Sequence, residues 1–281
     1  MIAVAAFAIG AAVAAALWAA MVRQLTSAEA LQRENYRGHR LPVAAGIVIV
    51  LAVVLVGAAY VAAVRVNGVR AEENLRGATI LAGGTLGFAL IGLFDDLVGA
   101  TSIKGFRGHL RALAHGELTT GMVKLVWGVL IGTIAVGTDL VGSIRGGLVI
   151  AAAANAANLF DRAPGRVIKV SVLGAMVIAV LGAPGWWLTG PMLVIGAGVG
   201  LLVPDLRERC MIGDTGANVL GAAVGFGLVL ATGATGQWIA LAVLVAINAA
   251  SEVVSFSRVI DRMPPLRWLD RFGTLPERRA R

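Results

Sequence analysis

Residues 170–204 read VSVLGAMVIAVLGAPGWWLTGPMLVIGAGVGLLVP, a run without one ionisable side chain. A helix crosses the hydrocarbon layer with about 20 apolar residues, so this run is too long for one crossing. It divides at Gly182-Ala183-Pro184-Gly185, where the following Trp186-Trp187 pair suits a bilayer interface. Residues 215–251 behave likewise and divide near Gly233-Ala234-Thr235-Gly236-Gln237. Paired crossings of this kind belong to a membrane bundle.

Outward from these runs, further apolar segments cover Met1–Val22, Leu41–Val64, Gly77–Phe94 and Leu118–Thr138, the last carrying only Lys124 near one end. Gly146–Phe160 is a shorter candidate. The count is about nine transmembrane helices in an all-α, polytopic integral membrane protein. Composition agrees: 58% of residues are hydrophobic, 14% are charged and the mean hydropathy is +0.84, whereas soluble domains carry roughly a quarter charged residues. Residues 1–256 form the bundle with its active-site loops, and residues 257–281 a basic cytoplasmic segment. The first run has no basic residue before it and Arg23 after it, which predicts a retained span instead of a cleaved leader. The lone Cys210 makes no intrachain disulfide. The net charge of +8 is scattered through short loops, a pattern that excludes a nucleic-acid face.

The basic residues orient the bundle. With the N-terminus outside, only Arg65, Arg70, Arg76 and Arg145 of the 24 Lys and Arg fall in outer segments. That asymmetry is the positive-inside pattern and puts the C-terminus in the cytoplasm. Arg40, Asp95, Asp161, Asp214 and Arg258 are each two spans from the next, so all five segments return to one face.

Carboxylates at the end of an apolar helix are costly, roughly 2.5–3.5 kcal/mol at a span's centre and less toward the ends. Asp95-Asp96 closes the third span, Asp161 closes the fifth and Asp214 opens the eighth. Taken singly, each reads as a helix boundary, and Asp214-Thr215 as an N-terminal cap. Four acids on one face are harder to explain as boundaries: adjacent aspartates repel unless a cation or a basic partner sits between them, and together the four suggest a divalent cation. Oxygen ligands without thiolates match Mg²⁺, with Mn²⁺ as its substitute, completed by waters and substrate phosphates. His39, His109 and His115 lack zinc spacing. Lys104 and Lys124 lie near the acids and read equally as phosphate ligands or as ordinary topology signals.

These segments, in this order, resemble the polyprenyl-phosphate N-acetylhexosamine-1-phosphate transferases, a superfamily that includes the phospho-N-acetylmuramoyl-pentapeptide transferase of peptidoglycan synthesis. The matching pieces are Phe94-Asp95-Asp96, Asn155-Ala156-Ala157-Asn158-Leu159-Phe160-Asp161 and Gly213-Asp214-Thr215-Gly216. Pro42-Val43-Ala44-Ala45-Gly46 is a fainter match to a Pro-Thr-Met-Gly-Gly turn. The resemblance runs from about residue 37 to 272. It implies Mg²⁺-dependent transfer of a sugar-1-phosphate from a nucleotide-sugar to a polyprenyl phosphate at the cytoplasmic face of a bacterial plasma membrane. By the same resemblance Asp214 is the metal ligand. Asp95 and Asp96 are the paired aspartates, either further ligands or the base for the lipid phosphate. Asn158 and Asp161 are polar donor-site residues, and many family members are homodimers.

The departures are equally specific. Where the family has Gly-x-Asp-Gly after Asn-Leu-x-Asp, this chain has Arg162-Ala163-Pro164-Gly165-Arg166; Met211 replaces an aromatic that stacks on the donor base. Proline and a thioether supply neither the hydrogen bond nor the stack. Arg162 and Arg166 are expected on donor or lipid phosphate. The family's histidine motif is absent, and residues 258–271 bring Arg258 and Arg262 in its place, either on phosphates or in an interfacial segment with Trp268 and Leu269 on the membrane. A tenth span is missing. Two functions follow: an active transferase with an altered donor site, or a non-catalytic relative that binds polyprenyl phosphate or a partner and regulates envelope assembly. A carrier or channel is a third, without the broken-helix repeats many transporters show.

Overall fold

The computed structural model describes residues 1–66, 72–98, 108, 111–112, 114–117, 119–136, 139–182 and 185–276. Nine helices of twelve or more residues carry most of them: α1 (Ile2–Ser27), α2 (Ile47–Val66), α3 (Glu72–Val98), α4 (Thr120–Val136), α5 (Leu140–Phe160), α6 (Arg166–Leu181), α7 (Thr189–Gly200), α9 (Gly213–Ala231) and α10 (Ala234–Ser251). Shorter α-helices among the described residues include α8 (Leu202–Leu206), α11 (Phe256–Arg262) and α12 (Pro264–Arg271). Each of the nine long helices falls on one of the apolar segments read from the sequence. Among the described residues α1, α2, α5, α9 and α10 are long and apolar enough to cross a membrane. The chain is an all-α, multi-pass membrane protein.

Several boundaries differ from the sequence reading, each for an identifiable reason. The fifth segment starts at Leu140, six residues before Gly146, because the Asp139 carboxylate caps it by accepting from the Gly142 N–H at 2.7 Å. Arg145 then lies inside a helix, where Gln237 Oε1 accepts from its Nε at 2.7 Å and the Trp238 ring lies 5.7 Å away. The second helix starts at Ile47 instead of Leu41. Residues Arg40–Pro42 form a strand, β2, antiparallel to β1 (Gln32–Glu34) with Gln32 opposite Pro42 and Glu34 opposite Arg40. Asp95 and Asp96 do not end α3, which continues to Val98.

Helix α9 is the hub, packed on α3, α5, α6 and α7. Small residues permit this. Gly221 and Gly225 of α9 meet the backbone and methyl groups of Ala153, Ala154, Ala157 and Ile150 on α5, the close approach by which membrane helices associate without a hydrophobic driving force. At the N-terminal end of α9 the Gly216 and Gly46 backbones touch, leaving no room for a Cβ at either. The α1–α2 hairpin is fixed there: Met211 N–H donates to Pro42 O at 2.8 Å, and Ala45 and Gly46 N–H donate to Met211 O and Ile212 O at 3.2 and 3.1 Å. The Glu208 carboxylate secures the hairpin tip by accepting from Asn35 Nδ2 at 3.0 Å and Tyr36 Oη at 2.8 Å, with Arg37 at 3.4 Å.

Candidate active site

Four long helices bring their ends together where α9 begins: α3 and α5 by their C-termini, α4 and α9 by their N-termini. Lys124, on the first turns of α4, is buried and bridges two acids, Asp95 at 3.0 Å and Asp214 at 3.2 Å. Asn158, near the end of α5, donates from Nδ2 to the same Asp214 oxygen at 2.9 Å. The Asp161 carboxylate, one residue past α5, accepts from the Gly213 N–H. Burial, then the charges of Asp205, Asp214 and Asp96, pushes the Asp161 carboxyl well above the usual carboxylate range.

Asp96 does something different from its neighbour. Its Oδ1 accepts from the Asp214 N–H at 2.9 Å, and its Oδ2 accepts from the Thr215 N–H at 3.0 Å and Thr215 Oγ1 at 2.6 Å. It thus caps α9 from a neighbouring helix, filling a role the sequence suggests for Asp214-Thr215 within their own helix. Gly213 makes this geometry accessible: it adopts φ +69, and a Cβ there would run into Val43 O and the Asp96 carboxylate. The Arg33 guanidinium, donating to Asp96 O and Leu97 O at 3.0 and 2.9 Å, closes the end of α3.

The remaining expected residues divide. Arg162 is exposed beside Asp161, and Arg258 and Arg262 are exposed on α11. Lys104 lies outside the described residues. Arg166 is corrected: only 5% exposed, it donates from Nε and Nη2 to the two oxygens of the buried Asp270 at 2.7 and 3.0 Å, and from Nη1 to Ser257 Oγ at 2.8 Å. A guanidinium held by three bonds in the interior is an architectural group, not a phosphate ligand. Arg33, Asp205 and Asp270 escape sequence reasoning, and Thr215 is singled out there only as a cap with Asp214. Asp205 accepts from the Gly165 N–H at 2.7 Å and so holds the loop after Asp161; no local pattern marks Arg33, Asp205 or Asp270.

The donor set suits a hard divalent cation. Two carboxylates reach one cationic point, and the chemistry around them is all oxygen and nitrogen. Among the described residues no three His, Cys, Asp or Glu side chains converge to form a complete cage. What joins Asp95 and Asp214 here is the Lys124 ammonium.

No protein-family model matches the chain. Two curated proteins do. The phospho-N-acetylmuramoyl-pentapeptide-transferase of Moorella thermoacetica is 28% identical over 222 residues, 70% of this chain and 68% of that protein. The same-named protein of Acaryochloris marina is 28% identical over 231 residues, 74% of this chain but only 59% of its own length. The ordered motifs and these alignments agree: the chain is similar to the phospho-N-acetylmuramoyl-pentapeptide-transferases over about seven tenths of its length.

Proposed function

We propose that this protein transfers a sugar-1-phosphate from a nucleotide-sugar to a polyprenyl phosphate. The observation that carries the reading is the Asp95–Lys124–Asp214–Asn158 network at one end of an apolar bundle, in a chain related to transferases of this kind. Phosphoryl transfer depends mainly on positioning and charge neutralisation, and a lipid phosphate can reach helix ends that a soluble donor also reaches. In the proposed reaction an oxygen of the lipid phosphate attacks the sugar-bearing phosphorus of the donor. The pyrophosphate bond breaks and nucleoside monophosphate leaves. Bound Mg²⁺ supplies charge neutralisation at the donor diphosphate. Asp214 and Asp95 hold the ion, Lys124 and Arg162 offset phosphate charge, and Asp96 keeps the first turn of α9 in place. Arg258 and Arg262, with Lys104, are proposed to add positive charge near the site. Nine crossings, with the N-terminus outside and the site cytoplasmic, are the topology that fits the distribution of Lys and Arg.

The donor differs from that of the pentapeptide transferases in how its base is read, because Pro164 and Met211 supply neither the acceptor nor the aromatic plane. That observation also favours a second reading, in which the protein binds polyprenyl phosphate without transfer and regulates envelope assembly. Purified protein incubated with undecaprenyl phosphate, Mg²⁺ and a panel of nucleotide-sugars separates the two. Nucleoside monophosphate release that needs both lipid and Mg²⁺, and that Asp214→Asn abolishes while the variant still inserts, supports transfer. Release undiminished in Asp214→Asn refutes this site. Lipid-phosphate binding without release from any donor selects the second reading.

A further inference from the structure

The two short helices after α10 form a unit of their own at the same end of the bundle. In α12, at about 100° per residue, Pro264, Pro265, Leu266, Trp268 and Leu269 share one broad arc, while Arg267, Asp270 and Arg271 share the other. The apolar arc is uncovered: Trp268 is 67% exposed, Leu266 40%, and Phe272, just beyond the helix, 61%. The polar arc is held from below. Asp270 receives the bidentate Arg166 pair, and the Lys169 ammonium donates to Leu269 O, Asp270 O and Phe272 O at 2.9, 2.8 and 2.8 Å, closing the helix. Phe256 of α11 stacks on Phe160 with ring centroids 5.2 Å apart. The outward direction of the apolar arc is therefore built in.

What covers it follows from position and charge. Only residues 252–255 separate α10, an apolar helix long enough to cross the bilayer, from α11. The unit therefore sits where hydrocarbon gives way to headgroups. Arg258 and Arg262 are one helical turn apart, exposed, and make no ion pair among the described residues. Arg267 is exposed on the flank of the apolar arc. Aromatic and leucine side chains beside unpaired arginines match the chemistry of an anionic bilayer interface. We propose that α11 and α12 form a foot on the anionic lipid surface, with Trp268, Leu269 and Phe272 in the headgroup–acyl boundary and Arg258 and Arg262 on phospholipid phosphates. The contacts from Phe160, Arg166 and Lys169 flank Asp161, so the foot and the Asp161 segment are one mechanical unit.

The full-length protein in lipid nanodiscs tests this without reference to catalysis. The fluorescence difference between the native protein and Trp268→Phe isolates Trp268, and its quenching by brominated acyl chains is compared with quenching by aqueous acrylamide. Brominated lipid is expected to reduce the Trp268 signal at least twofold, with little effect of acrylamide. Raising phosphatidylglycerol from none to one third should deepen the quenching, and Arg258→Gln/Arg262→Gln should remove that dependence. Quenching by acrylamide alone puts the arc in water and overturns the proposal. Protection from both quenchers means another protein surface covers it, which overturns it equally. Bromine quenching indifferent to anionic lipid in the native protein refutes the role of the arginines.

Discussion

Replacing Lys124 by Met keeps the length of the side chain and removes the charge that joins Asp95 to Asp214. The ammonium lies 3.0 and 3.2 Å from the two carboxylates, and its side chain is only 7% exposed. At an effective dielectric of about 20, each contact amounts to roughly 5 kcal/mol before desolvation is subtracted. Removing one member of a buried ionic group typically destabilises by about 3–5 kcal/mol, because the remaining charge is left uncompensated. Asp214 is 31% exposed and keeps its bond from Asn158, so the expected loss is at the lower end, about 3 kcal/mol. If the same two carboxylates form the divalent site, Mg²⁺ takes over the role of the ammonium. At 100 times its dissociation constant it restores about 2.7 kcal/mol, nearly the whole loss. Equilibrium unfolding in mixed detergent, with EDTA and then across a Mg²⁺ series, reads both effects. The native protein should gain less from Mg²⁺ than Lys124→Met, since its site already holds a cation. A variant as stable as the native protein in EDTA refutes the bridging role; a loss that no concentration of Mg²⁺ or Mn²⁺ repairs refutes the shared cation site.

Asp96→Asn preserves volume but turns one oxygen into a donor facing the Thr215 N–H, leaving that group buried and unpaired at about 2–3 kcal/mol. Combined with Thr215→Val in a double-mutant cycle, a coupling above about 1 kcal/mol is expected, and strict additivity in the unfolding assay argues against the cap. Arg166→Leu should destabilise by about 3–5 kcal/mol by stranding the Asp270 charge, while Arg166→Leu/Asp270→Leu recovers most of it. A double variant no better than the single one excludes the pair as the clamp on the C-terminal helices.

The order of the apolar helices was legible because hydropathy is a local signal that survives any tertiary arrangement. The misread ends have non-local causes. Leu41–Gly46 looks like the start of a span, yet its backbone pairs with Gln32–Glu34 and with Met211–Ile212, partners that no window around residue 41 contains. Gly146 looks like a helix start because Arg145 interrupts the apolar run, but Gln237 and Trp238 accept that charge from another helix. The gathering of acids at one end was legible from the even number of segments between them, and Lys124 and Asn158 were picked out as members. Their geometry was not. Lys124 and Asp214 are 90 residues apart, and Asp96 and Thr215 are 119 apart. Arg166 was misassigned for the same reason: an arginine near a presumed phosphate site and one locked to a distant Asp270 look identical in sequence.

The adjacent pair Asp95-Asp96 shows how the structure revises a sound electrostatic inference. Two neighbouring carboxylates repel unless something stands between them, and the sequence reading allows a cation or a basic partner there. Successive residues on a helix, however, point about 100° apart. The consequence here is that each acid has its own partner: Asp95 turns to Lys124, Asp96 to the first turn of α9. The α9 amides and the Thr215 hydroxyl face one carboxylate and the ammonium the other, so the two acids do not share one ion. This separates their chemistry. Asp96 has both oxygens engaged in bonds to the first turn of α9, whereas Asp95 pairs with the buried Lys124 ammonium. What the bonds do show is a division of labour: Asp95 pairs with Lys124, and Asp96 fixes the first turn of α9 and with it the position of Asp214.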